Sequence, residues 1–190
     1  MDDDLRILLY LSAAIWLLPI IKQKNTKFAL FFLFIGIDDV LAIAFYFLIY
    51  PNTYLVIITA NYLAFLTFFR KEHFKKGWYF FLVIYLLMAI GWFVTDDWRY
   101  HAVMQGLTFV YLLFGLGYEF ILELVERRFS FSILILISYA FTFIFTAVVA
   151  TTIEYKYATI HLYFATFVEI IYGFFFTTFR IDDERLIGKL

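Results

Sequence analysis

The sequence predicts an all-α integral membrane protein, a seven-helix bundle forming one polytopic domain over residues 1–190. Three observations carry this reading. The chain is 65% hydrophobic and only 16% charged, against ~45–50% and ~25% in soluble globular proteins. Its aromatic share is 24%, with 27 Phe and 15 Tyr, so much of this apolar surface must face something other than water. Finally, uncharged runs close to the ~20 residues that span hydrocarbon at ~1.5 Å per residue recur between clusters of charge. Runs of that length exclude a transmembrane barrel, whose strands take ~10 residues, and an open sheet leaves its edge groups unsatisfied in lipid.

The first helix covers about residues 5–21, with Arg6 and Lys22 placed to snorkel at its ends. Met1-Asp2-Asp3-Asp4 lacks the basic region of a cleavable signal peptide, so this helix is expected to act as an uncleaved signal anchor. The second, 28–50, is interrupted only by Asp38 and Asp39. Pro51 and Asn52 form the turn into the third, 51–69, because Pro cannot continue the preceding hydrogen-bond ladder. The fourth, 77–95, is bracketed by Trp78 and Tyr79 at one end and by Trp98 and Tyr100 beyond the other, amphipathic rings that prefer the two headgroup levels. The fifth, 102–122, carries Glu119 and leaves Glu123, Glu126, Arg127 and Arg128 in the headgroup zone. The sixth covers 129–153 and the seventh 158–179. The connections are too short for a soluble effector module.

Basic residues are retained in the cytoplasm, and here they divide sharply between alternate loops. One side collects Lys22, Lys24, Lys27, Arg70, Lys71, Lys75, Lys76, Arg127, Arg128, Arg180, Arg185 and Lys189; the other has Arg6, Arg99 and Lys156. The expected topology places the N-terminus outside and the C-terminus in the cytoplasm, in a plasma (inner) membrane. One internal match accompanies it: the segments Tyr62–Arg70 and Tyr172–Arg180 agree at Tyr, Phe, Thr, Phe and Arg. It is read either as two aromatic helix ends with basic anchors or as a parallel 3+1+3 duplication joined by the fourth helix.

Charge and residue type narrow the chemistry. Lys+Arg 15 against Asp+Glu 16 offers nothing to nucleic acid, and the lack of Cys removes thiol catalysis and thiolate metal sites. The seventh helix has no Lys for a retinal Schiff base, no Pro-Gln pair marks a sugar carrier, and three His residues are too few for an intramembrane zinc hydrolase. No metal site or cofactor is expected. What stands out is depth. Asp39 lies at the centre of the second helix, and the centre of the seventh falls between Val168 and Glu169, so Asp38, Asp39 and Glu169 share one level. An Asp there costs ~2.5–3.5 kcal/mol to insert, and no Lys or Arg occurs at that depth. Either protons neutralise these acids or a cation completes the site.

Polar groups expected near that level are Ser12, Thr59, Asn61, Tyr85, Tyr111, Ser138, Tyr139 and Thr142. Adjacent helical positions point ~100° apart, so Asp38 and Asp39 cannot both face the axis, and Asn61 is the expected partner of one of them. The candidate ligand, proton or cation site is therefore Asp38, Asp39, Asn61, Ser138, Thr142 and Glu169, with His161 as a relay about two turns away. One functional expectation is a non-enzymatic accessory or sensory subunit packed against a membrane-protein partner or a second copy, with the carboxyls bonding helices together. The other is a small transporter or channel for protons, cations or an amine-bearing solute, using Asp38, Asp39 and Glu169. Catalysis has least support: an aspartyl mechanism between one Asp and Glu169 is the only chemistry these residues would allow.

Overall fold

The computed structural model describes residues 3–48, 54–67, 98–152 and 155–189, together with 79, 82–83, 85–87 and 89–90. Its helices are α1 (Asp3–Gln23), α2 (Ala29–Leu48), α3 (Tyr54–Leu66), α4 (Trp98–Val125), α5 (Phe131–Thr152) and α6 (Tyr155–Thr178). The described residues of the expected fourth helix, 77–95, are helical as well, so the expected count of seven fits. The Pro51-Asn52 turn, the loop at 70–76 and Trp78 lie outside the described residues. Among the described residues three helical segments are long and apolar enough to cross a membrane: Asp4–Gln23, Ala102–Val125 and Phe131–Val149.

Among the described residues, α1 packs on α2, α2 on α3, α3 on α4, α4 on α5 and α5 on α6, while α6 returns to α1. The result is a closed ring of six helices. Its interior is aromatic. Trp16 of α1, Phe32 of α2, Phe109 of α4, Tyr139 of α5 and Phe176 of α6 are all fully buried. Tyr139 anchors this set, with ring centroids 5.3 Å from Trp16, 5.8 Å from Phe109 and 4.9 Å from Phe143. The outer surface is apolar too: Phe114 is 72% and Val125 75% exposed, as lipid-facing residues would be.

Helix boundaries moved for local reasons. The fifth expected helix starts at Trp98 rather than 102 and runs on to Val125. There Arg127, at φ 56, takes the left-handed conformation that ends many helices. Phe129 and Ser130, expected at the start of the sixth helix, instead belong to an extended strand β1 (Arg128–Ser130). It pairs antiparallel with β2 (Ile187–Lys189) in the C-terminal tail, with Phe129 opposite Gly188. The Ser130 hydroxyl then accepts from the Ile133 amide at 3.4 Å and caps α5.

Close approach of helices depends on three glycines, Gly36, Gly106 and Gly173. A Cβ at Gly36 would lie 2.6 Å from the Trp16 carbonyl oxygen, and one at Gly173 2.6 Å from Ile15 Cγ2. α1 is thus pressed against α2 at one glycine and α6 at the other. On α4, Gly106 meets Ala147 of α5, whereas Gly117 faces open space.

The end of α1 is fastened to the tail by one side chain. Gln23, 0% exposed, donates from Nε2 to the carbonyls of Phe176 and Phe179, both at 2.8 Å, and accepts from the Ile181 amide at 3.0 Å. Carbonyls in the last turn of a helix have no partner within it, so Gln23 supplies what α6 cannot. Beside this latch, the α1–α2 connection, the end of α4 and β1 enclose a cleft of about 550 Å³.

Candidate carboxyl site

Asp38 and Asp39 diverge as neighbouring helical positions must. Asp38, 7% exposed, turns to α3, where Asn61 Nδ2 donates to its Oδ2 at 3.1 Å. Its second oxygen, Oδ1, is buried and has no hydrogen-bond partner among the described residues. Asp39 and Glu169 lie within electrostatic range of one another, and Asp38 within range of both. Both keep partial accessibility although set deep in the bundle.

Glu169 is held from two sides. Trp16 Nε1 donates to its main-chain carbonyl at 3.2 Å, fixing α6 against α1. The hydroxyls of Ser12 and Tyr139 face its carboxyl group. Ser12 is fully buried beside Glu169. Three acids thus meet hydroxyls and one amide. Among the described residues no Lys or Arg is one of the charged groups that act on them.

Two of the expected site hydroxyls sit elsewhere. Ser138 is exposed and bonds the Tyr172 hydroxyl at 2.8 Å, while Thr142 bonds back to the Ser138 carbonyl at 3.0 Å. Tyr139, between them, is the residue of α5 that turns inward. Thr59 reaches the Tyr85 hydroxyl at 3.0 Å and so ties α3 to the expected fourth helix. His161 lies in α6 two turns before Glu169, about 12 Å along the axis; its side chain is outside the described residues. Trp16 is the contributor that sequence reasoning missed. Its one signal is the four-residue spacing from Ser12, which places both on one face of α1.

Glu119 of α4 has a basic partner. Lys27 Nζ lies 2.8 Å from Glu119 and 3.2 Å from Glu123, and Arg128 reaches the other oxygen of Glu123 at 2.9 Å. Partial burial lowers the Lys27 pKa, but the two carboxylates more than offset this and hold it above the usual lysine value. Further along the tail, the guanidinium of Arg185 holds Asp183 down at about 2.

Among the described residues no three acidic or His side chains converge closely enough to hold a metal ion. Comparison with protein-family models, curated proteins and solved structures finds no match for this chain.

Proposed function

We propose that this chain is a multi-pass protein of the plasma (inner) membrane whose interior carboxyl cluster, Asp38, Asp39 and Glu169, binds and passes protons as the coupling site of a small transporter or sensor. The observation that carries this is a set of three acids brought together by α2 and α6 with, among the described residues, no basic side chain acting on them. Three like charges cannot all persist at a low-dielectric site without a counter-charge. A proton meets the need at no cost in space. The rings of Trp16, Phe32, Phe109 and Tyr139 are fully buried, which leaves little room nearby for a bulky solute. Among the described residues Asp38 Oδ1 has no hydrogen-bond partner, which supports a site that takes up a proton.

Reconstituted vesicles test the reading. Under an imposed pH gradient, wild-type protein should dissipate it faster than empty vesicles or respond with a pH-dependent conformational signal, and Asp39→Asn with Glu169→Gln should lose that response while staying folded. An unchanged response in the double variant would sink the proposal.

A second reading, an accessory subunit docked on a membrane partner or a second copy, draws on the outward-facing rings Phe141 and Phe145 of α5 and Phe164, Phe167 and Phe174 of α6.

A further inference from the structure

We infer that the cleft between the α1–α2 connection, the end of α4 and β1 binds a zwitterionic phosphoamine head group of the phosphatidylethanolamine kind. This stands apart from the carboxyl cluster and does not depend on it. The cleft, about 550 Å³, has the size of a small-molecule site. Its walls carry Lys27 and Arg128 against Glu119, Glu123 and Glu126, over a floor of Phe28, Ile133 and Ile181.

The charge balance selects the ligand. Four carboxylates, Glu119, Glu123, Glu126 and Asp182, the last already paired with Arg180, against two lining cations repel a simple anion but favour a molecule that brings its own ammonium. Lys27 spends two of its three N–H donors on Glu119 and Glu123, and Arg128 spends only part of its five on Glu123 and Glu126. The remaining donors would serve a phosphate, while Glu126, its side chain 64% exposed, and Glu119 would accept from a primary ammonium. Trimethylation of that nitrogen would remove every N–H donor, so ethanolamine is preferred to choline.

The surface beside the cleft suits the rest of a lipid. Phe114, Tyr118, Ile121 and Val125 recur at helical spacing on α4 and are all exposed. The cleft-lining residues Glu119, Leu122, Glu123 and Glu126 occupy the adjoining face of the same helix. A head group in the cleft would therefore leave its acyl chains against an apolar stripe.

Native mass spectrometry of the delipidated full chain tests this, with phosphatidylethanolamine, phosphatidylcholine and phosphatidylglycerol of matched acyl chains, and with phosphoethanolamine alone. The expected result is binding of phosphatidylethanolamine roughly tenfold tighter than the other two lipids, as charge-assisted hydrogen bonds to the ammonium predict, and weaker binding of the free head group. Glu126→Gln and Glu119→Gln should each reduce the preference over phosphatidylcholine, and the exposed position of Glu126 keeps that variant folded. Equal binding of all three lipids, or a preference untouched in both variants, overturns the inference. Free phosphoethanolamine binding as tightly as the lipid would overturn the lipid assignment and leave a soluble phosphoamine as the ligand.

Discussion

Replacing Gln23 by Leu should loosen the tail and lower the stability of the whole bundle. The side chain is fully buried and makes three hydrogen bonds, two to carbonyls at 2.8 Å and one from an amide at 3.0 Å. Leucine fills a similar volume but leaves those three main-chain groups without partners. A buried group orphaned in this way costs ~1–3 kcal/mol. The site lies at a helix end where water can enter, so the lower bound applies and the sum is about 3 kcal/mol. For a chain of this size each kcal/mol moves the unfolding temperature by ~2–4 °C, giving a fall of about 6–12 °C. Gln23→Glu keeps the shape but turns a carboxylate toward two carbonyl oxygens, so its effect should be larger and should grow with pH. Intrinsic fluorescence of the solubilised protein follows unfolding, and limited trypsin digestion at Arg180 and Arg185 follows tail release. A shift under about 2 °C in Gln23→Leu, with the tail still protected, would refute the latch.

Gly36→Ala places its Cβ 2.6 Å from a main-chain oxygen that cannot yield, so it should cost about 1–3 kcal/mol, whereas Gly117→Ala, in open space, should be neutral or slightly stabilising; thermal unfolding compares them. Arg127→Gly removes the penalty of a left-handed non-glycine residue and should gain about 1 kcal/mol in the same assay. The Lys27 contribution is present below the reference pKa of 10.5 and is lost as pH rises through its higher folded value; wild-type protein should lose unfolding temperature above that pH, and the Glu119→Gln, Glu123→Gln double variant should lose less. For Asp183 the sign reverses: its contribution is present above 3.8 and is lost as pH falls through about 2, so hydrogen exchange at the tail should rise in that window and Arg185→Gln should abolish the dependence. Single Cys residues introduced at Asn25 and Lys75 should resist an impermeant thiol reagent on intact cells, while one at Asn52 should react; labelling of Lys75→Cys from outside would overturn the orientation.

The helices were legible because the length of an apolar run is itself the physical requirement for spanning a bilayer, and six of the expected runs recur as α1 to α6. The shared depth of Asp38, Asp39 and Glu169 was legible for the same reason, since counting from span ends gives height. Height is not direction, however. Tyr139 faces the acids whereas Ser138 and Thr142 do not, and a helix apolar on nearly every side offers no polar face from which to choose. Gln23 looks like an ordinary loop-end residue; its partners lie 153, 156 and 158 positions away, and nothing local announces them. The strand pair was hidden because three residues are too few to show alternation.

Infrared spectroscopy of the carboxyl stretch tests the central claim most directly. Spectra of wild-type protein in lipid at neutral pH should contain a band from a protonated carboxyl group, and the Asp38→Asn, Asp39→Asn, Glu169→Gln triple variant should lose it while keeping its helical amide signature. Raising the pH should remove the wild-type band reversibly if the cluster exchanges protons with water. Absence of the band at neutral pH in a folded wild-type protein would contradict the account.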